Sequence, residues 1–260
     1  MVPQVRDKLD ALIASGSLPL PLLPEVASRV LSLVERPDCD ARKLAELFKR
    51  DPAMTAHVMQ IANSPMYASS TKIVSLQQAI GRLGFATIVQ IAMVVASKAR
   101  VFAVPGFAAE IKAAFRHALA TALFAQDIAR SRKATVDTAF LAGLFHDFGR
   151  PVLLQAVVDL HREAKLDIDR DDALIVVDEA HATVGALLVE SWQLPKLVAD
   201  AVRTHHAPAS ELAFTVALAD AFAHGQASQQ LAAPLNMYPE DVEAIAARAD
   251  DILQTVEAIA

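Results

Sequence analysis

The sequence predicts an all-α protein, for three reasons. Hydrophobic residues make up 54% of the 260 residues and aromatic residues only 5%, a composition that suits closely packed helices better than a β-sandwich or a barrel. Apolar residues recur at helical spacing, for example at Leu44, Leu47 and Phe48. The alternation of apolar and polar residues that marks a half-buried strand is not convincing in any segment.

Helix start signals agree with this prediction. Asp51 is a capping residue, and Pro52 follows it at the first helical position. Ser75, with Gln78 three residues later, forms a capping box at the start of a long apolar segment. Pro195 is likewise expected to open a helix.

The domain organisation follows from one break in the pattern. The stretch from Ala99 to Gly106 interrupts the helical spacing, and a new amphipathic pattern begins after it. The three expected parts of one larger unit are an N-terminal helical part over residues 1–104, a helical core over 105–236 and a C-terminal capping helix over 237–260. The capping helix is expected to run without interruption from Pro239 to Ile259.

Composition and charge exclude several classes of protein. A net charge of −6, without a run of Lys or Arg, disfavours a dedicated nucleic-acid binder. The single cysteine, Cys39, cannot form an internal disulfide, which suits a reducing compartment. The first residues lack the features of a signal peptide, and the most apolar stretch, Ile88 to Ala96, is too short to span a bilayer. We therefore expect a cytoplasmic protein with no membrane segment.

The pair His146 and Asp147 is the first chemical anomaly. It ends a strongly apolar helix in the sequence AFLAGLFHDFGR, so we expect Asp147 to be largely buried. A buried carboxylate without a partner costs about 3 kcal/mol or more. A divalent metal removes this cost directly, and one carboxylate can bridge two ions.

Five further residues of the same chemistry stand on separate predicted helices or helix ends. They are His117, His181, His205, His206 and Asp220. A helical bundle could bring them together, and imidazole nitrogens with carboxylate oxygens suit iron, manganese, nickel or zinc. A metal-free network of hydrogen-bonded polar groups remains the alternative. The other histidines, His57, His161 and His224, are interpreted as surface or partly packed residues and are assigned no role.

These motifs resemble a known family over nearly the whole chain. The order His, His-Asp, His, His-His, Asp resembles the HD superfamily of metal-dependent phosphohydrolases, especially its HD-GYP branch. In the first half, LPLLPEVASRVLSLV, DPAMTAHVMQIANSPMYA and IVSLQQAIGRLGFATIVQIA resemble the signature segments of the related HDOD family. The resemblance implies an HD-domain-like helical bundle preceded by an N-terminal helical subdomain.

The resemblance also implies how the ligands divide. One metal would be held by His117, His146, Asp147 and Asp220, with Asp147 bridging to a second site completed by His181, His205 and His206. HD-GYP enzymes use such a pair of ions to hydrolyse a phosphodiester.

Three departures from the HD-GYP pattern weaken the case for catalysis. Ala113 stands where some HD-GYP enzymes carry a glutamate, which argues against a third metal, and Arg150 replaces a lysine. If the protein is active, Asp147 and Arg150 would be catalytic, although arginine presents a planar fork rather than a point charge. The Gly-Tyr-Pro loop is absent between His206 and Asp220.

HDOD proteins are generally regarded as signalling or scaffold modules, so the resemblance to them implies signalling rather than catalysis. We therefore expect a non-catalytic bacterial signal-transduction protein that retains one or two divalent ions and binds a protein partner. The alternative is a binuclear phosphohydrolase acting on a nucleotide or cyclic dinucleotide. A third hypothesis is a nucleotide sensor that binds without cutting.

Overall fold

The computed structural model describes residues 2–64, 67, 72–97, 104–164 and 169–259. Within these residues all regular secondary structure is helical, which confirms the all-α prediction. The helices are α1 (Val2–Ala14), α2 (Glu25–Val34), α3 (Ala41–Phe48), α4 (Pro52–Ala62), α5 (Leu76–Ser97), α6 (Ala108–Ser131), α7 (Val136–Phe145), α8 (Gly149–Ala164), α9 (Arg170–Ser191), α10 (Lys196–Thr204), α11 (Glu211–Ala223), α12 (Gln229–Ala232), α13 (Pro239–Ala246) and α14 (Ala249–Ile259).

The chain packs into two compact units. One contains residues 1–22 and 100–243, and the other contains residues 23–99 and 244–260. These units follow different boundaries from the three parts predicted from the sequence, because each unit takes a terminal segment from the far end of the chain. Much of the predicted break between Ala99 and Gly106 lies outside the described residues.

In the unit of residues 23–99 and 244–260, α5 packs against α2, α3 and α4. The predicted start of α4 is confirmed, because the side chain of Asp51 accepts a hydrogen bond from the backbone N–H of Met54 over 3.0 Å and Pro52 is the first helical residue. The α5 helix is kinked at Gly84, whose φ of 76° lies in the region that favours glycine.

The length and apolar composition of α5 bear on whether this helix could span a membrane. Residues Leu76–Ala96 are long and apolar enough to cross a bilayer by length and composition, so the apolar run is longer than the Ile88 to Ala96 stretch suggested. However, 56% of the apolar window is buried inside the protein. This burial is typical of a helix that packs in a protein core.

The prediction of a single C-terminal helix is wrong in one respect. Two helices, α13 and α14, replace the single helix predicted from Pro239 to Ile259, and a turn at residues 247–248 separates them. The second helix carries Asp250 and Asp251 in its first turn. Acidic side chains stabilise a helix N-terminus, so this acidic pair favours a fresh start at Ala249.

The unit of residues 1–22 and 100–243 holds the predicted ligands. Here α6 packs on α7 and α11, α8 packs on α9, and α9 packs on α10. Two glycines allow these helices to approach closely. A Cβ on Gly143 would lie 2.8 Å from Cα of Ala122 in α6. A Cβ on Gly149 would collide with the carbonyl oxygen of His181 and lie 2.7 Å from the backbone nitrogen of Gly185.

Candidate metal centre

The pair His146 and Asp147 lies at the junction of α7 and α8. His146 caps the C-terminus of α7, and α8 begins two residues after Asp147. Only 1% of His146 and 8% of Asp147 are exposed. The expected burial of Asp147 is therefore confirmed, and the carboxylate requires partners in the protein interior.

The two carboxylate oxygens of Asp147 face different groups. Its Oδ1 lies 3.1 Å from Nε2 of His181 and 4.0 Å from Nε2 of His205. Its Oδ2 accepts a hydrogen bond from Nε of Arg150 over 2.8 Å and lies 3.7 Å from Nε2 of His146. Asp147 thus stands between the two predicted ligand sets, with one oxygen towards each.

The first set converges on Asp220 of α11. Oδ1 of Asp220 lies 2.8 Å from Nε2 of His117 on α6 and 3.8 Å from Nε2 of His146. The rings of His117 and His146 contact each other edge to face, with centroids 5.2 Å apart. Three helices therefore bring these donors to one place.

The second set consists of imidazoles from α9 and from the end of α10. Nε2 of His206 lies 3.0 Å from Nε2 of His181, and the rings of His205 and His206 are 4.0 Å apart. His181 and His205 are buried, whereas His206 is exposed. One ligand atom from each of the three lies within 4.8 Å of the others. Both members of the histidine doublet therefore belong to this group.

The tautomers of the buried histidines are set by the backbone. Nδ1 of His146, His181 and His205 lies 2.7 Å from the carbonyl oxygen three residues earlier, at Gly143, Asp178 and Val202 respectively. A carbonyl oxygen can only accept, so each Nδ1 donates its proton, and in neutral His146 and His205 Nε2 carries a lone pair.

This arrangement fits a metal ion. The Nε2 atoms of His146 and His205 are buried and have no hydrogen-bond partner. A buried acceptor without a partner costs about 1–3 kcal/mol. A divalent cation among these lone pairs and the neighbouring carboxylates would remove that cost, and backbone-anchored imidazoles are usual at metal sites.

The protonation states of these histidines and aspartates also suit metal binding. Burial lowers the pKa of His205 to about 3 and also lowers the pKa of His146, so both imidazoles stay neutral. Burial alone would raise the pKa of Asp147, but the hydrogen bond from His181 and the positive charge of Arg150 lower it. The pKa of Asp220 is also lowered, because its hydrogen bond with His117 and the nearby imidazoles outweigh the effect of burial. Neutral imidazoles and ionised carboxylates are the forms that bind metals.

A cleft opens over the ligand groups. Its volume is about 450 Å³, and His117, Asp147, Arg150, His206 and Asp220 contribute to its walls. All lining residues belong to the unit of residues 1–22 and 100–243. This volume is within the range of small-molecule sites.

Arg150 does not point freely into the cleft. Its Nε donates to Asp147, and its Nη1 donates to Oδ1 of Asp178 on α9. Burial lowers the pKa of the guanidinium, but Asp147 and Asp178 raise it further, so the net shift is upwards. Arg150 therefore bridges the two carboxylates of Asp147 and Asp178.

Sequence reasoning missed two residues. His224, which was assigned no role, lies one helical turn after Asp220 and forms a potential ligand group with His117 and Asp220. Its one-turn spacing from Asp220 was the available signal. Asp178 was also missed, because its partnership with Arg150 arises only when α8 packs on α9. His57 and His161 belong to none of the ligand groups found among the described residues.

Comparison with known proteins agrees with the fold and the motifs. A family model for the HDOD domain matches residues 20–208. An uncharacterized protein of Treponema pallidum (strain Nichols) is 25% identical over 208 residues, which cover 76% of this chain and 40% of that relative. This chain therefore spans well under half of the relative's length.

Solved structures share the architecture. A proposed metal-dependent phosphohydrolase from Shewanella amazonensis SB2B is 23% identical, with a TM-score of 0.79 over 98% of this chain and 99% of the other. An HDOD domain protein of unknown function from Geobacter sulfurreducens is 22% identical, with a TM-score of 0.70 over 99% of this chain and 97% of the other. At these identities the likeness establishes a shared helical fold.

Proposed function

The chain belongs to the HDOD domain family, and from this premise we propose that it is a non-catalytic signal-transduction protein whose helical core is held together by an HD-type divalent metal site. Its work would be done in the cytoplasm by binding a protein partner. The observation that carries the metal site is the pair of buried Nε2 atoms, on His146 and His205, that have no hydrogen-bond partner.

The donors would divide between two ions. His117, His146 and Asp220 would hold the first, and His181, His205 and His206 the second, with Asp147 offering one oxygen to each. Iron, manganese, nickel and zinc all suit this mixture of imidazole and carboxylate. When bound, such ions supply Lewis acidity and positive charge among the side chains.

The residues of the chain have a structural role in this proposal. Asp147 links α7 and α8 to His181 on α9, and Asp220 links α11 to His117 on α6. Each link joins separate helices, and the link between Asp220 and His117 joins helices that are distant in sequence. Cation binding would therefore stabilise the arrangement of the bundle and the surface that the bundle presents to a partner.

The position of Arg150 favours this role over catalysis. A cation that bound a substrate phosphate would need free donors facing the cleft, but Arg150 already donates to Asp147 and Asp178. The chain also lacks the Gly-Tyr-Pro loop after His206 that shapes substrate binding in HD-GYP enzymes.

The test combines metal analysis with an activity assay. The full chain is stripped with a chelator, reconstituted anaerobically with Fe(II) or Mn(II), and analysed for bound metal. It is then incubated with bis(p-nitrophenyl) phosphate and with cyclic dinucleotides. We expect bound metal and no hydrolysis. Turnover that disappears in Asp147→Ala would contradict the non-catalytic role, and a chain that binds no divalent metal would contradict the metal site.

A binuclear phosphohydrolase is the second candidate, because the cleft of about 450 Å³ exposes part of the ligand set to solvent. It requires two ions per chain, so elemental analysis that finds fewer after anaerobic loading would count against it.

The third candidate is a sensor that binds a nucleotide without cutting it, and calorimetry with a nucleotide panel tests for such binding. Heat release without hydrolysis would favour that sensor.

A further inference from the structure

A second cleft lies at the turn between α6 and α7, and we name it the Arg132 cleft. Its volume is about 340 Å³, at the lower end of the range of small-molecule sites. Arg132 directly follows the last residue of α6, whereas His117 lies in the first half of that helix. Among the described residues, none lines both this cleft and the cleft over the ligand groups. The Arg132 cleft is therefore separate from the candidate metal centre.

Arg132 is a largely buried cation in the wall of this cleft. Only 14% of its side chain is exposed. Its Nε donates a hydrogen bond to the backbone oxygen of Leu235 over 2.8 Å. Its Nη1 is buried and has no hydrogen-bond partner among the described residues. A guanidinium cannot release a proton to remove its charge, so a donor of a permanent cation is left unsatisfied in the protein interior, which is unfavourable.

Glu211 faces the third nitrogen of the Arg132 guanidinium. Its Oε1 lies 2.6 Å from Nη2, and both residues line the cleft. The side chain of Glu211 is 64% exposed, and an ion pair with an exposed partner contributes little to stability. Glu211 can therefore turn into solvent at small cost. An anion with two oxygens that took its place could pair with both terminal nitrogens at once, the geometry that arginine and carboxylates favour.

The other walls of the Arg132 cleft set the chemistry of a ligand. Leu197 on α10 and Leu212 on α11 line the cleft together with three alanines. The side chains of Thr135 and Thr138 also line it, and Thr135 forms no side-chain capping bond at the start of α7. These residues offer apolar surface and hydroxyl groups beside the guanidinium. They fit a small monoanion with a short apolar chain, because a single guanidinium balances one negative charge.

We propose that the Arg132 cleft binds a small carboxylate with a short aliphatic chain, and that Glu211 competes with this ligand for Arg132. The ligand carboxylate replaces the carboxylate of Glu211, pairs with Nη2 and Nη1, and satisfies the buried donor. Its aliphatic chain lies against Leu197 and Leu212. The ligand thereby connects α10 and α11 to the turn between α6 and α7, at a site that does not depend on a metal ion.

The experiment uses hexanoate as the probe, with hexanol as a matched probe without charge and acetate as one without the chain. The full-length wild type, Glu211→Gln and Glu46→Gln are titrated by calorimetry in the presence of a chelator, so that no carboxylate binds through a metal ion. Glu46 is a matched control, because its side chain is 62% exposed and pairs with Lys49 in the other compact unit.

We expect hexanoate to saturate the wild type and Glu46→Gln with equal affinity. Glu211→Gln should bind hexanoate about 2-fold to 5-fold more tightly, because the competing carboxylate is removed. Hexanol and acetate should bind the wild type at least about 10-fold more weakly than hexanoate, because each lacks one of the two groups that the cleft recognises.

Arg132→Lys keeps the positive charge but loses the planar pair of donors, so it should weaken hexanoate binding by about 10-fold. Circular dichroism checks its folding, because Arg132 also holds Leu235. Glu211→Gln tests the proposal even if Arg132→Lys does not fold. A wild type and a Glu211→Gln variant that show no saturable binding of hexanoate would overturn the proposal. Equal affinities of Glu211→Gln and Glu46→Gln, or of hexanoate and hexanol, would also overturn it.

Discussion

Nε of Arg150 donates to Oδ2 of Asp147 over 2.8 Å, in a part of the protein where only 8% of Asp147 is exposed. Asp147 lies two residues before α8 begins, and Arg150 is the second residue of that helix. The same carboxylate faces His181 with its other oxygen. The guanidinium therefore balances a buried negative charge beside the imidazoles, and it does so before any cation binds.

Replacing Asp147 by alanine is expected to lower the free energy of unfolding of the metal-free protein by about 2–4 kcal/mol. The substitution leaves the partly buried guanidinium of Arg150 without one of its two carboxylate partners. It should also abolish binding of at least one divalent ion. Urea unfolding in the presence of a chelator, followed by metal analysis, measures both effects.

A matched control exists in α8, the helix that carries Arg150. Asp159 and Arg162 form an ion pair with the same three-residue spacing, with 2.9 Å between Oδ1 and Nη2, but Arg162 is well exposed. Exposed pairs contribute about 0–1 kcal/mol, so Asp159→Ala should change the stability little and leave metal binding intact. Equal losses in the two variants would show that burial of Asp147 is not the cause.

Replacing Gly149 by alanine is expected to destabilise the protein by about 1–3 kcal/mol, the usual range for overpacking. The new Cβ would meet backbone atoms of α9 at His181 and Gly185, which cannot move without displacing the helix. Because His181 belongs to the second ligand group, metal affinity should fall as well. Thermal unfolding and metal titration would detect the two effects.

Gly81→Ala is the corresponding control, because a Cβ at this position in α5 meets no atom within 4 Å. Alanine is favoured over glycine inside a helix by about 1 kcal/mol, so this variant should be slightly more stable than the wild type. A Gly149→Ala protein with wild-type stability would show that α8 and α9 pack less closely than the structure indicates.

The sequence allowed the fold and most of the candidate site to be predicted. Ligand-type residues inside apolar helices, such as His146 and Asp147, conflict with a plain hydrophobic core, and this conflict identified them. The role of Asp178 could not be predicted, since it is exposed on α9 and only the packing of α8 brings Arg150 to it. His224 was missed because an exposed histidine at a helix end has no apolar surroundings to make it conspicuous.

Replacing Arg150 by lysine is expected to lower the free energy of unfolding by about 1–2 kcal/mol although the charge is kept. A guanidinium can donate from two nitrogens to Asp147 and Asp178 at once, whereas an ammonium group offers a single nitrogen. Chemical unfolding of Arg150→Lys measures the loss. Asp178→Asn should cost less than Asp147→Asn, because the side chain of Asp178 is 61% exposed. A larger loss of stability in Asp178→Asn than in Asp147→Asn would contradict the assignment of Asp147 as the main partner of Arg150.

The metal-free protein is expected to lose stability as the pH falls below about 6.5, because His146 and His205 are buried in the neutral form. The pKa of His205 falls from 6.5 to about 3 on folding. A histidine with a lowered pKa in the folded state leaves stability unchanged above its unfolded value and reduces it between the two values, since only the unfolded chain takes up the proton. Each such proton contributes a slope of about 1.4 kcal/mol per pH unit. Urea unfolding between pH 7.5 and 5 should show this slope. In His205→Gln the slope should be smaller by the contribution of about one proton. Above pH 7.5 the free energies of unfolding of the wild type and of His205→Gln should depend on pH in the same way. If the two pH dependences were also the same below pH 6.5, His205 would not be buried in its neutral form.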